Sequence, residues 1–259
     1  MNVLDLFCGE GGATEGYMRA GAYVMGVDND DKALYFMPPG AGRMLADWQD
    51  ALDMFAGWAD LIHASPPCQG YTHSQGIKMN GLTGESKKPR LIGQVRNALM
   101  DTGKPFVIEN VPGSDHPKWE LDGLQPNLKL SGDMFGLHAA FCPRPNESYK
   151  PKGESKCRPE WGCGRWPREI QLKLTRTRLF ECHGFTPVQR RRTPLDMPSL
   201  TIVSGSDTAG FHRLGHRDPT ADQAMRLFGI EHTMTKHGVA EAIPPAYAEF
   251  IGRQFLRSA

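Results

Sequence analysis

Three short segments bring together side chains that could bind a nucleoside and activate a carbon centre. The first is Gly9-Glu10-Gly11-Gly12, which follows the apolar run Asn2 to Phe7. Glycines at such a turn let the backbone approach a ligand closely, and an acid ending the next strand accepts bonds from ribose hydroxyls. Asp28 lies 19 positions after Gly9, close to the ~20 this arrangement asks for. Thr14 stands where a dinucleotide fingerprint wants its third glycine, and Glu10 would sit badly against a pyrophosphate, so an adenosine ligand without phosphates fits better. Asp47 is then available to the adenine amino group. The second segment is Ser65-Pro66-Pro67-Cys68-Gln69. A cysteine pre-positioned by two rigid prolines is a candidate nucleophile, against the alternative of a small buried hydrophobe. The third is Glu109-Asn110-Val111. A carboxyl raised by burial can give a proton near neutrality, and the alternative is a salt-bridged or helix-capping glutamate.

Elements that end at these residues must position them. Asn2 to Phe7, Tyr23 to Val27, Arg43 to Ala46, Leu61 to Ala64 and Phe106 to Glu109 read as strands. Ala13 to Ala20, a stretch from about Asp31, and Leu91 to Met100 read as helices between them. Pro66-Pro67 stops the fourth strand, because a proline ring cannot continue the ladder. Alternation of this kind predicts a parallel sheet with helices on both faces. From Cys142 to Pro167 the pattern dissolves into an irregular insert. Arg178 to Cys182 resumes as a strand, Arg190 to Gly215 is turn-rich, and Ala221 to Phe228 and Tyr247 to Leu256 read as closing helices.

At ~150 residues per domain, 259 residues allow one large domain or two modest ones. A hydrophobic content of 39% supplies a core, and with 23% charged residues a disordered chain is excluded. No apolar run approaches the ~18–20 residues of a membrane span, and a basic, apolar leader is not read at the N-terminus, so a soluble, cytoplasmic protein is expected. Six scattered cysteines do not read as a disulfide framework. Cys142, Cys157 and Cys163 lack the close pairing of a zinc knuckle, and no metal is expected. From Cys142 to Thr193, 13 Lys and Arg face 5 Asp and Glu, a net +8 in a chain of net +1. Such a stretch suggests a polyanion partner, against the alternative of a merely solvated face.

Asp5-Leu6-Phe7-Cys8-Gly9-Glu10-Gly11-Gly12, Pro66-Pro67-Cys68-Gln69, Glu109-Asn110-Val111 and Arg176-Thr177-Arg178 occur in the order found in DNA (cytosine-5)-methyltransferases. The chain resembles a compact phage- or prophage-type member of that family, over nearly all its length. The resemblance implies an α/β, Rossmann-like class I methyltransferase sheet with a small irregular DNA-facing region. It divides the chain into a catalytic S-adenosyl-L-methionine-binding domain over 1–136, an insert with the arginine motif and target-recognition region over 137–219, and C-terminal helices over 220–259 that complete the catalytic domain.

The resemblance also implies roles. Cys68 would add to carbon 6 of cytosine, Glu109 would protonate the ring nitrogen, Arg178 would steady the base carbonyl, and Arg176 would support the Cys68 loop. Phe7 would pack against adenine, Gly9, Gly11 and Gly12 form the donor loop, Asp28 meet ribose, and Asp47 meet adenine. Ala242 and Ile243, in the closing segment, would wall the pocket. Gln69, Ser74, Arg190, Arg191 and Arg192 would contact double-stranded DNA, the arginines alternatively pairing with the chain's own acids. The expected setting is a bacterial host, associated with the nucleoid, as a monomer without membrane contact; a restriction endonuclease partner stays open. Two alternatives stand beside this reading: a tRNA cytosine-5 methyltransferase of the same architecture, and a non-catalytic DNA-binding relative. The chain departs from the family at Leu174, where a glutamine usually opens the arginine motif, and at Glu241, near the place of an asparagine. Glu241 is expected to cap the following helix.

Overall fold

The computed structural model describes residues 1–71, 89–112, 124–141, 170–192, 195–197, 199–200 and 219–258. Ser74, Cys142, Cys157, Cys163 and the polar stretch 204–217 lie outside the described residues. The first half alternates β1 (Asn2–Leu6), α1 (Gly12–Arg19), β2 (Tyr23–Asp28), α2 (Asp31–Tyr35), β3 (Gly42–Leu45), α3 (Trp48–Phe55), β4 (Leu61–Ala64), α4 (Ile92–Asp101) and β5 (Phe106–Asn110). There follow β6 (Leu128–Leu130), β7 (His138–Phe141), β8 (Ile170–Leu174), β9 (Arg178–His183), β10 (Ser199–Leu200), α5 (Ala221–Phe228), α6 (Lys236–Glu241) and α7 (Pro245–Ser258).

The main sheet runs β3-β2-β1-β4-β5-β9-β6. Its first five strands are parallel, and β9 pairs antiparallel with both β5 and β6. Strand order reverses between β1 and β4, which opens a crevice at their carboxyl ends. The sheet is buried on both faces, as a parallel sheet must be. Leu4, Leu6, Ile62, Ala64 and Ile108 face α3 and α4, meeting Leu52, Ile92, Val95 and Leu99. Val3, Leu61, Val107 and Phe180 face α1 and α7, meeting Tyr17, Tyr247, Ile251 and Phe255. The last helix therefore packs on the first, and residues 245–258 build one of the two catalytic layers.

A second sheet, β10-β8-β7, packs Leu172 and Leu174 against Phe228, Leu227 and Val239 of α5 and α6. Arg178–His183, inside the expected 137–219 region, is a strand of the main sheet. That region thus contributes a strand to the main sheet rather than lying wholly apart from it. A second correction concerns Glu241. It ends α6, 3.5 Å from His237 one turn earlier, while α7 begins at Pro245. The expected helix cap is not its role. Among the described residues no helix is long and apolar enough to cross a membrane.

Candidate active site

The turn after β1 holds the first part of the site. Phe7 adopts φ 59°, the only positive φ outside glycine among the described residues. A non-glycine residue held there costs on the order of 1–3 kcal/mol, and such strain concentrates at ligand clamps. Gly11 has φ 89°, and a Cβ there would lie 2.4 Å from Pro38 Cδ. At Gly12 a Cβ would come within 2.5 Å of the Ile243 carbonyl oxygen. Neither position admits a side chain, so the closing segment with Ala242 and Ile243 backs directly onto the glycine turn. Gly9 donates its N–H to Asp28 Oδ2 at 2.9 Å.

Beside this turn lies a shallow, open cleft lined by Phe7, Val27, Asp28, Asn29, Ala46, Asp47 and Trp48. Three expected donor residues, Phe7, Asp28 and Asp47, therefore meet in one place. Asp47 also caps α3, accepting from Gln49 N at 3.0 Å, and a carboxylate has acceptor capacity to spare. Asn29 and Trp48 were not singled out in the sequence, although each directly follows an acid that was.

Glu10 is turned out of the turn. Its carboxylate accepts from the backbone N–H of Thr235 at 2.6 Å, and from the Thr235 hydroxyl. His232 bridges the same elements: Nδ1 meets the Glu15 carboxylate and Nε2 lies 2.8 Å from the Glu10 carbonyl. Glu10, which would have opposed a phosphate, instead anchors the turn to residues 232–235, with Glu15 joining through His232.

The second part sits at the ends of β4, β5 and β9. Cys68 begins a single 3-10 turn, Cys68–Gly70, after the two prolines, and Gln69 shares it. Asn110 Nδ2 donates to the Pro66 carbonyl at 2.8 Å, which ties the cysteine loop to the glutamate strand. Arg178 Nε lies 2.6 Å from Glu109 Oε1, an ion pair with both side chains about 90% or more buried. Burial pushes the Glu109 carboxyl up, opposed by Arg178, Arg176 and a hydrogen bond from Ser65. Burial and the Glu109 charge likewise push the Cys68 thiol up, with Arg178 pulling it back and Glu241 adding to the rise. At rest, then, Cys68 is a thiol, and a charge change at Glu109 alters its readiness to ionise.

The Arg176 guanidinium donates to the Ala240 carbonyl at 2.6 Å and lies 5.3 Å over the Phe228 ring. It thereby fastens α5 and α6 behind the pocket. Tyr247 adds to this clasp by donating to the Arg176 carbonyl at 2.5 Å.

The three arginines expected on DNA are all exposed. Arg190 donates to the Met134 carbonyl at 2.6 Å and stacks 4.7 Å over Phe135. Arg192 lies 3.7 Å from Asp133. Two of the three thus make the internal contacts of the alternative reading, although only Arg192 meets an acid. Among the described residues no cluster of His, Cys, Asp and Glu could hold a metal ion.

Residues 1–121 match the sequence model of the C-5 cytosine-specific DNA methylases. Among solved structures, the S. pombe Dnmt2 methyltransferase is 14% identical, with a TM-score of 0.60, covering 99% of this chain and 98% of that one. A DNA modification methyltransferase encoded within an E. coli prophage is 16% identical, with a TM-score of 0.54, covering 100% and 99%. A Spodoptera frugiperda DNMT2 variant is 13% identical, with a TM-score of 0.51, covering 98% and 99%. At these identities the likeness is one of fold. No curated protein matches the chain.

Proposed function

We infer that this chain, whose first 121 residues match the sequence model of the C-5 cytosine-specific DNA methylases, transfers a methyl group from S-adenosylmethionine to carbon 5 of a flipped-out cytosine in DNA. One observation carries the reading: Cys68, Glu109 and Arg178 converge on one rim of the sheet, whose parallel strands also end at the cleft lined by Phe7, Asp28, Asp47 and Trp48. The cleft suits the donor. Its aromatic floor, its two carboxylates and a turn without side chains match a nucleoside carrying no phosphate. Bound there, the donor supplies an electrophilic methyl group.

The residues of the pocket account for the rest. Carbon 5 of cytosine is a weak nucleophile. Cys68 first gives its thiol proton to solvent water, and addition of the thiolate to carbon 6 turns the ring into an enamine. As that S–C bond forms, electrons move toward the ring nitrogen between carbonyl and amino carbons, where Glu109 delivers a proton. Arg178 holds the base carbonyl and the Glu109 carboxylate together. After transfer, the carbon-5 proton passes to water, the ring nitrogen returns its proton to Glu109, and the electron pair released at carbon 5 expels Cys68 as thiolate, which regains its proton from water. A base inside the stack cannot be reached in this way, so the target must be flipped out.

Side-by-side assays with labelled donor test the substrate. Methylation of duplex DNA and not of tRNA is expected, and methylation of tRNA alone would replace DNA by tRNA in this account. A chain that binds DNA but transfers nothing to either would be a binding module. Arg191, exposed between two internally engaged arginines, is the one of the three expected to reach phosphate. Its replacement by Ala should lower the salt dependence of DNA binding by about 0.9 for each phosphate it no longer neutralises.

A further inference from the structure

Alternation along the strands puts a row of polar side chains on the sheet face under α1. Asp5 and His63 are register partners on β1 and β4, and His63 is paired with Val107, two residues before Glu109, on β5. Ser65 continues the alternation beyond His63. Side chains two apart in a strand share a face, so His63, Ser65 and Glu109 lie together inside a layer otherwise filled by Val3, Leu61, Val107 and Tyr247. Polar groups in such a place are costly unless each has a partner.

The partners form a line. The Tyr17 hydroxyl, reaching down from α1, lies 2.9 Å from His63 Nδ1. His63 Nε2 lies 2.9 Å from Ser65 Oγ. The β4–β5 register, extended by one residue, sets Ser65 opposite Glu109, whose carboxyl the serine hydroxyl holds down against the rise from burial. His63 and Tyr17 are both fully enclosed. We propose that Tyr17, His63 and Ser65 are a positioning relay for Glu109, in which the Ser65 hydroxyl, oriented from behind by His63, donates to the Glu109 carboxylate. This rests on Glu109 being the group that exchanges a proton with the base.

The direction of the line follows from proton counting. Burial pushes His63 down to about 3, so the ring is neutral at working pH and has one N–H and one lone pair. When Tyr17 donates to Nδ1, Nε2–H donates to Ser65, and the serine proton is left for a carboxylate. When Glu109 is a carboxylic acid, it donates to Ser65, Ser65 donates to Nε2, and Nδ1–H donates to Tyr17. The first arrangement finds an acceptor for every hydrogen in the line, whereas the second leaves the Tyr17 hydroxyl hydrogen without one. The line therefore favours the charged form of Glu109. Other charged or titratable groups face these residues too: Arg178, Arg176 and Cys68 around Glu109, and Asp5 and Cys182 around Tyr17. Asp5 is itself held by Thr14 Oγ1 at 2.6 Å.

The test follows the side-chain carboxyl carbon of Glu109 by carbon-13 NMR in glutamate-labelled protein, assigned by its loss in Glu109→Gln. Ser65→Ala removes a donor to the charged form, so the Glu109 titration should move upward by about 1 pH unit. His63→Leu should move it the same way by less, and His63→Gln, whose amide N–H replaces Nε2–H, should restore the wild-type value. If Ser65→Ala does not fold, the His63 pair carries the test. Wild-type titration in both Ser65→Ala and His63→Leu would overturn the relay. The methyl-transfer pH profile separates the relay from the reading it rests on. A descending limb that moves with the carboxyl supports both. A carboxyl that moves while the profile stays fixed upholds the relay and removes Glu109 from proton exchange.

Discussion

The donor cleft and the catalytic rim are built on neighbouring ends of one sheet, yet they treat charge in opposite ways. In the cleft, Asp28 is half-buried and Asp47 exposed, and each takes a backbone N–H at about 3 Å as an ordinary partner. The proposed donor would meet shape there: a Phe7 held at positive φ and a buried Trp48. On the rim proposed for catalysis, Glu109, Arg176 and Arg178 are each less than 10% exposed, Arg178 pairs with Glu109, and Arg176 donates to the Ala240 carbonyl. The two regions divide the labour. A binding surface can leave its carboxylates to water, whereas a site that moves protons and stabilises developing charge needs a low dielectric and must satisfy each group internally.

The largest expected effect lies on the catalytic side. Glu109→Gln should lower transfer by about 10²–10⁴-fold, the usual scale for a lost proton donor, with donor affinity nearly unchanged. Equal losses of transfer and donor affinity, measured by single-turnover rates and calorimetry, would erase the contrast between the two regions.

A second effect reads the buried polar face through stability. Asp5 is raised by burial to about 7, so in the range between its unfolded value near 4 and 7 the folded state holds the extra proton, and stability falls as pH rises. His63, lowered to about 3, acts the other way: below about 6.5 the unfolded state binds the extra proton, and stability is lost as pH falls. Between about pH 4 and 6.5 the two slopes oppose. Asp5→Asn, which can still accept from Thr14, should expose the histidine slope of about 1.4 kcal/mol per pH unit in urea titrations.

On the cleft side, Trp48→Ala should weaken donor binding about tenfold, while transfer at saturating donor stays near wild type. A fall in the saturated rate would mean that the cleft also aligns the reaction. The smallest effect is expected far from both. Arg192→Ala should change stability by less than about 1 kcal/mol, because its pairing with Asp133 is exposed and long.

Much of this division was legible in the sequence. Strands that end in Gly9, Asp28, Cys68 and Glu109 announce the rim, since alternation of strand and helix places all their carboxyl ends together. What stayed hidden depends on reach across the fold. The target of the Arg176 guanidinium is 64 residues away, at Ala240, and no local spacing encodes it. Glu10 read as an obstacle to phosphate because its partner, Thr235, comes 225 residues later. The short β6 has three residues, too few for a period to emerge, while Asp47, read as an adenine contact, also caps α3, a helix that the sequence reading did not place. His63 and Ser65 stand two apart in plain view, but their meaning needs the pairing of β4 with β5.

Covalent attack by Cys68 on a flipped cytosine, with Glu109 supplying the proton, can be trapped. Duplex DNA carrying 5-fluorocytosine cannot release a proton from carbon 5, so an enzyme that has added to carbon 6 and transferred its methyl group stays attached. With donor present, this protein should form a denaturation-stable adduct in which mass spectrometry places the base on Cys68, and Cys68→Ala should form none. An adduct on another residue, or one that persists in Cys68→Ala, would contradict the account.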